Sequence, residues 1–110
     1  RGAGQGRRQV SGFSLASAGP GRLAASGELE FATAADALAA GVKLIAAGQP
    51  VVVDLHGVTA GDSAGLAVLV EWLSVARERD ARLSYESVPP QILAVARTSG
   101  LEELLLVQPA

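Results

Sequence analysis

A chain of 110 residues has the length for one domain with a single core, and its 49% apolar content, mostly Ala, Val and Leu, fits a packed α/β domain better than a disordered one. It contains no cysteine, which removes disulfides and thiolate metal sites, and no apolar run approaches the roughly eighteen residues of a membrane helix. The formal charge of −2 hides an imbalance: Arg1, Arg7 and Arg8 sit in a Gly-rich head, and beyond it eleven acidic residues stand against six basic ones. A surface this poor in clustered cations does not suit phosphate backbones, so nucleic acid is excluded as a partner. No secretory leader pattern occurs, and a cytoplasmic location is the expectation.

Residues 1–9 carry no periodic pattern and are expected to form a flexible head, native or added, with the domain running over 10–107. Val10, Phe13 and Leu15 alternate loosely and predict a first strand. Gly19-Pro20-Gly21 is a turn, and Leu23, Ala25 and Leu29 carry a second strand over 22–30, so the pair reads as a hairpin. Thr33 and Asp36 have the spacing of a capping box at a helix start. Leu38, Val42 and Ile45 then repeat at helical spacing, and Gly48 and Pro50 stop the helix. Val51-Val52-Val53-Asp54-Leu55 is a short β-branched run that predicts a strand buried on both faces. Residues 57–62 read as a loop.

Helical periodicity returns from Ala64 to about Arg79. A strand is predicted over Arg82–Glu86, a helix opens at Pro89-Pro90 and closes at Gly100, and Leu101–Val107 is either a helical turn or an edge strand. The order β-β-α-β-α-β-α predicts an α/β fold, a small mixed sheet with helices packed against it.

Catalytic signals are weak. His56 is the only histidine, and its plain reading is a loop residue with no special task. Glu28 and Glu30, and Glu102 and Glu103, read as solvated charge. No phosphate-binding glycine loop, dinucleotide fingerprint or nucleophile elbow occurs, and no cofactor is expected.

The segment Gly61-Asp62-Ser63-Ala64-Gly65 stands out. In its plain reading Ser63 is an N-cap accepting from the N–H of Leu66, with Asp62 adding favourable charge at the helix start. In its functional reading the free N–H groups form an anion site and Ser63 is a contact or switch residue. The helix that follows carries two apolar stripes, Leu66-Leu69-Val70-Leu73-Ala76 and Ala64-Val68-Trp72-Val75, roughly 140° apart at 100° per residue. The first should face the sheet. The second is either covered by a neighbouring helix or exposed as a docking surface anchored by Trp72.

Val53-Asp54-Leu55 followed by Asp62-Ser63-Ala64-Gly65-Leu66 resembles the signature of the STAS domains of sulfate transporters and anti-sigma factor antagonists. Gly27-Glu28-Leu29-Glu30 and Ser99-Gly100-Leu101 resemble two further motifs of that family, and the resemblance spans Val10 to Val107. It implies the STAS fold and a non-enzymatic interaction module. Two branches carry different expectations. Anti-sigma factor antagonists, usually D-S-[ST]-G-L-G, imply phosphorylation of Ser63 by a partner kinase, but this chain has Ala64 and Ala67 in that pattern. The segment from Asp62 to Trp72 is more similar to the MlaB-like subunit of the Gram-negative phospholipid ABC transporter. That resemblance implies contact between Ser63 and the transporter's ATPase, with Asp62, Ala64, Val68, Trp72 and Val75 in the same interface. The expected role is support of lipid asymmetry in the outer membrane from the cytoplasmic side of the inner membrane, with membrane association only through the complex. A nucleotide-binding STAS module is a third reading, for which no base or ribose pocket is discernible.

Overall fold

The computed structural model describes residues 12–106, so the head at 1–9 and the residues Val10 and Val107 lie outside the described part. Four strands form one sheet in the order β1-β2-β3-β4. They are β1 (Phe13–Ser17), β2 (Arg22–Leu29), β3 (Pro50–Gly61) and β4 (Arg82–Glu86). The first pair is the expected antiparallel hairpin, while β2, β3 and β4 run parallel. A 3-10 turn (Phe31–Thr33) leads into α1 (Ala34–Leu44); α2 (Ser63–Glu78), α3 (Pro90–Thr98) and the short α4 (Glu102–Leu106) follow. The mixed α/β architecture is the predicted one, and the last segment takes the helical of its two options.

Burial alternates along the strands. Leu23, Ala25 and Leu29 of β2, Val51, Val53 and Leu55 of β3, and Leu83 and Tyr85 of β4 are buried under the helices. Ala24, Ser26 and His56 face the other way and are exposed, while Val52 and Asp54 are only half-buried. Strand β3 is therefore covered on one face, not on both, because among the described residues no second helical layer covers its back. Nor do residues 57–61 form a loop. They continue β3, and register shifts against β2 between Ala24 and Ser26 and again between Gly27 and Glu28 break the period-two pattern. After the first shift the inward position moves from Leu55 to Val58.

Helix α1 also differs from its periodicity. Its buried positions are Ala37 and Gly41, with Leu38 half-buried and Val42 40% exposed. The smallest residues face inward because the indole of Trp72 fills the space opposite. A Cβ on Gly41 would collide with Trp72 Nε1, and the Phe13 ring closes the far side at 6.1 Å between centroids. The helix ends at Leu44, before Gly48, since Ile45 is already extended. Arg79, just past the end of α2, donates from Nη1 to the carbonyls of Val42 (2.6 Å) and Ile45 (2.8 Å). A cation thus meets carbonyls that a helix C-terminus leaves open. Tyr85 ties β4 to α2 by donating to the Leu69 carbonyl at 2.6 Å, and burial raises its phenol well above the usual tyrosine range.

Candidate functional site

Because β2 and β3 are parallel and each feeds a helix, the C-terminal ends of both strands and the N-terminal ends of α1 and α2 lie at one end of the domain. Asp62 is the N-cap of α2. Its Oδ1 accepts from the Gly65 N–H at 3.0 Å, and its Oδ2 accepts from the Phe31 N–H at 3.2 Å. These donors, Gly65 first and then Phe31 and Ala64, hold the carboxyl below its ordinary pKa against a smaller opposing effect of desolvation. The Leu66 N–H goes to the Asp62 backbone carbonyl at 3.0 Å. Ser63 is therefore not the cap, and its hydroxyl does not receive the Leu66 N–H. Nor is the helix start an open anion site, since the Asp62 carboxylate already sits on its donors.

Gly65 has a separate task. A Cβ there would collide with the Leu29 carbonyl, so glycine lets the first turn of α2 lie against the end of β2. Leu66 is buried in the core. Thr33, expected to cap α1, makes no capping bond to that helix. Its hydroxyl donates to the Glu28 carbonyl at 2.7 Å and accepts from the Glu30 N–H at 3.0 Å, folding the chain sharply after β2. The late Ser99-Gly100-Leu101 segment is a helix stop: Gly100 has φ 74°, and the Leu101 N–H returns to the Ala96 carbonyl at 2.7 Å.

Within Asp62–Leu66 the polar side chain left without a structural task is Ser63. It is exposed, and among the described residues its hydroxyl has no hydrogen-bond partner. Ala64 beside it is half-buried.

The second apolar stripe is not an open docking surface. Trp72 is 0% and Val68 4% exposed, and Val75 is half-buried against the core. The two stripes are the shoulders of one inward arc, joined across Gly65, Leu69, Trp72 and Ala76, all buried. A helix wedged between α1, the sheet and α3 needs more than the single narrow stripe of a helix lying on a sheet. Trp72 Nε1 is left with no hydrogen-bond partner. The outward face of α2 is instead Ser63, Ala67, Glu71 and Ser74, spaced at helical repeats and all exposed.

The residue missed in the sequence is Phe31. It is 82% exposed, the most exposed large hydrophobic among the described residues, and its N–H is bonded to the cap residue next to Ser63. A bulky aromatic between an acidic strand end and a helix start was the available signal. His56 lies on β3 rather than in a loop, exposed, with its backbone N–H donating to Asp54 Oδ1 at 2.9 Å. Among the described residues no three His, Asp or Glu side chains gather as a metal site, and no helix is long and apolar enough to cross a membrane.

A sheet edged by one antiparallel hairpin, with helices on one face and a capped helix start carrying an exposed serine, defines a small α/β domain of the STAS kind. The profile of the family described as Mlab, STAS domain matches residues 14–108, and the chain belongs to that family. Among solved structures it is similar to the anti-sigma factor antagonist SpoIIAA in its unphosphorylated form. The TM-score is 0.58 at 14% identity, covering 77% of this chain and 81% of that one, which is a likeness of fold. No curated protein sequence matches the chain.

Proposed function

We propose that this protein is a non-catalytic, MlaB-like accessory subunit. It binds the ATPase of a phospholipid-transporting ABC complex on the cytoplasmic side of the inner membrane, and so supports outer-membrane lipid asymmetry. The observation that carries the reading is Ser63: Asp62, Gly65 and Leu66 of its motif each have a capping or packing task, and the serine is the exposed member with an unengaged hydroxyl. Membership of the Mlab family supports the choice of partner. The contact surface in this reading is Ser63 with the outward side of α2, supported from beneath by Asp62 and flanked by Ala64; Val68, Trp72 and Val75 serve it only by holding the helix in place. The test is capture of the purified ATPase subunit by the full chain and by Ser63→Arg. Loss of capture with an unchanged melting temperature is expected, and equal capture by both proteins would remove the Ser63 contact.

A second reading, an anti-sigma factor antagonist regulated by phosphorylation of Ser63, draws on the likeness of fold to SpoIIAA and on the exposed hydroxyl. The seated Asp62 carboxylate weighs against it, because a phosphate on Ser63 would arrive where the helix donors are taken and a negative charge is adjacent. Incubation with the anti-sigma factor kinase, followed by intact-mass measurement, separates the readings: a gain of one phosphate favours the antagonist.

A further inference from the structure

Among the described residues the cations lie towards one end of the domain, mixed there with Glu78, Asp80, Glu102 and Glu103. Arg22 and Arg82 begin strands, Lys43, Arg77 and Arg97 lie in the last turns of α1, α2 and α3, and Arg79 follows α2. Several are engaged there: Arg22 with Glu86, Arg97 with Glu102, and Arg79 with the carbonyls at the end of α1. The segments 23–42 and 44–76 contain no Lys or Arg at all. They contain the strand ends and helix starts at the end that carries Ser63, with Glu28, Glu30, Asp36 and Asp62 there and Glu71 about two turns further along the exposed face of α2. The positive ends of α1 and α2 make such crowding tolerable near Asp36 and Asp62, but Glu28, Glu30 and Glu71 lie outside those first turns.

Phe31 rises from the middle of this acidic end, and its backbone is fixed. The Phe31 N–H is held by Asp62, and the turn on either side of it is closed by the Thr33 hydroxyl. An exposed aromatic on a fixed backbone loses little freedom on binding, the property of interface anchors.

We propose that Phe31 is the anchor of the partner interface, and that the surface it meets is a basic patch of the ATPase with an apolar socket for the ring. The proposal rests on the ATPase-binding reading above and gives that site its chemistry. Carboxylates surrounding an apolar centre favour a cationic rim on the partner, which steers association and makes it sensitive to salt.

The experiment measures binding of the ATPase subunit to the full chain by interferometry at about 50 and about 500 mM salt, the Debye length shrinking several-fold between them. Phe31→Ala is expected to weaken binding at least tenfold, as a hot-spot truncation does, and Phe31→Trp to retain it. Glu71→Lys and Glu30→Lys are expected to slow association, and the wild type to bind more slowly at high salt. Leu104→Ala, truncating an exposed leucine of α4 (45%), is the control and should bind as wild type. Wild-type binding that changes less than twofold in Phe31→Ala, or that is indifferent to salt and to both charge reversals, overturns the inference and leaves the ATPase reading standing. Failure of the wild type itself to bind overturns both.

Discussion

Helix α2 has two faces that divide the labour of one short motif. Its inner face, Gly65, Leu66, Leu69, Trp72 and Ala76, is buried against α1, the sheet and α3. Its outer face begins at Ser63 and continues through Ala67 and Glu71, with Phe31 beside its first turn. Inner residues are constrained by volume, to the point that glycine is the only residue that fits at Gly41 and Gly65 without displacement. Outer residues are not constrained by the fold at all. Substitutions on the two faces should therefore separate into losses of stability and losses of binding.

The largest effect belongs to the inner face. Trp72→Ala empties the space between α1 and α2 and should cost about 3–5 kcal/mol in denaturant unfolding. Trp72→Phe should cost much less, because it removes an indole N–H that has no partner, and a buried orphan donor costs about 1–3 kcal/mol. Gly41→Ala sharpens the point. In an open helix this change gains about 1 kcal/mol, whereas here the new methyl meets the indole, and a net loss of about 1–3 kcal/mol is expected. Combining it with Trp72→Leu should recover part of that loss, a coupling readable as a double-mutant cycle. Additive losses would mean that Gly41 is required for some other reason.

The order of elements was legible because turns, caps and β-branched runs are local signals, and the helix start at Asp62–Leu66 was visible for the same reason. The identity of its cap was not. Asp62 and Ser63 are both good cap formers, and one of the bonds that distinguishes them comes from Phe31, thirty-one residues earlier. Trp72 was ambiguous for a similar reason: an apolar stripe reads alike whether a neighbouring helix or a partner covers it, and the residue that decides is Gly41 on α1. The extension of β3 through Gly57–Gly61 was hidden by bulges, whose second strand had to be seen. Phe31 belonged to no period, so only its place between an acidic strand end and a helix start marked it.

Between the two faces stands Asp62, which joins α2 to the turn carrying Phe31. Asp62→Ala should cost about 1 kcal/mol as a lost cap, and Asp62→Asn less, since an amide oxygen still accepts. The carboxyl is held below its ordinary pKa in the fold, so its stabilisation is fully present above the unfolded-state value near pH 4 and is lost as pH falls through the folded value. Acid unfolding of wild type should accordingly be steeper below about pH 4 than that of Asp62→Asn. Parallel profiles would mean that the two N–H bonds do not hold the charge. Because the same bonds hold Phe31, Asp62→Ala should also weaken partner binding, which makes it the one position expected to move both readouts.

The smallest stability effects are expected on the outer face, and they carry the functional argument. Ser63→Ala and Phe31→Ala remove side chains that the fold does not use, and each should leave unfolding within about 0.5 kcal/mol of wild type. For a domain of this size that is a shift of no more than about 4 °C in melting temperature. A larger loss in Phe31→Ala would show that the ring packs against the domain in solution, and the separation of faces would fail there. If instead both variants melt with the wild type while ATPase binding falls in each, the acidic end around Ser63 has no remaining role in folding, and its composition is explained by what it meets.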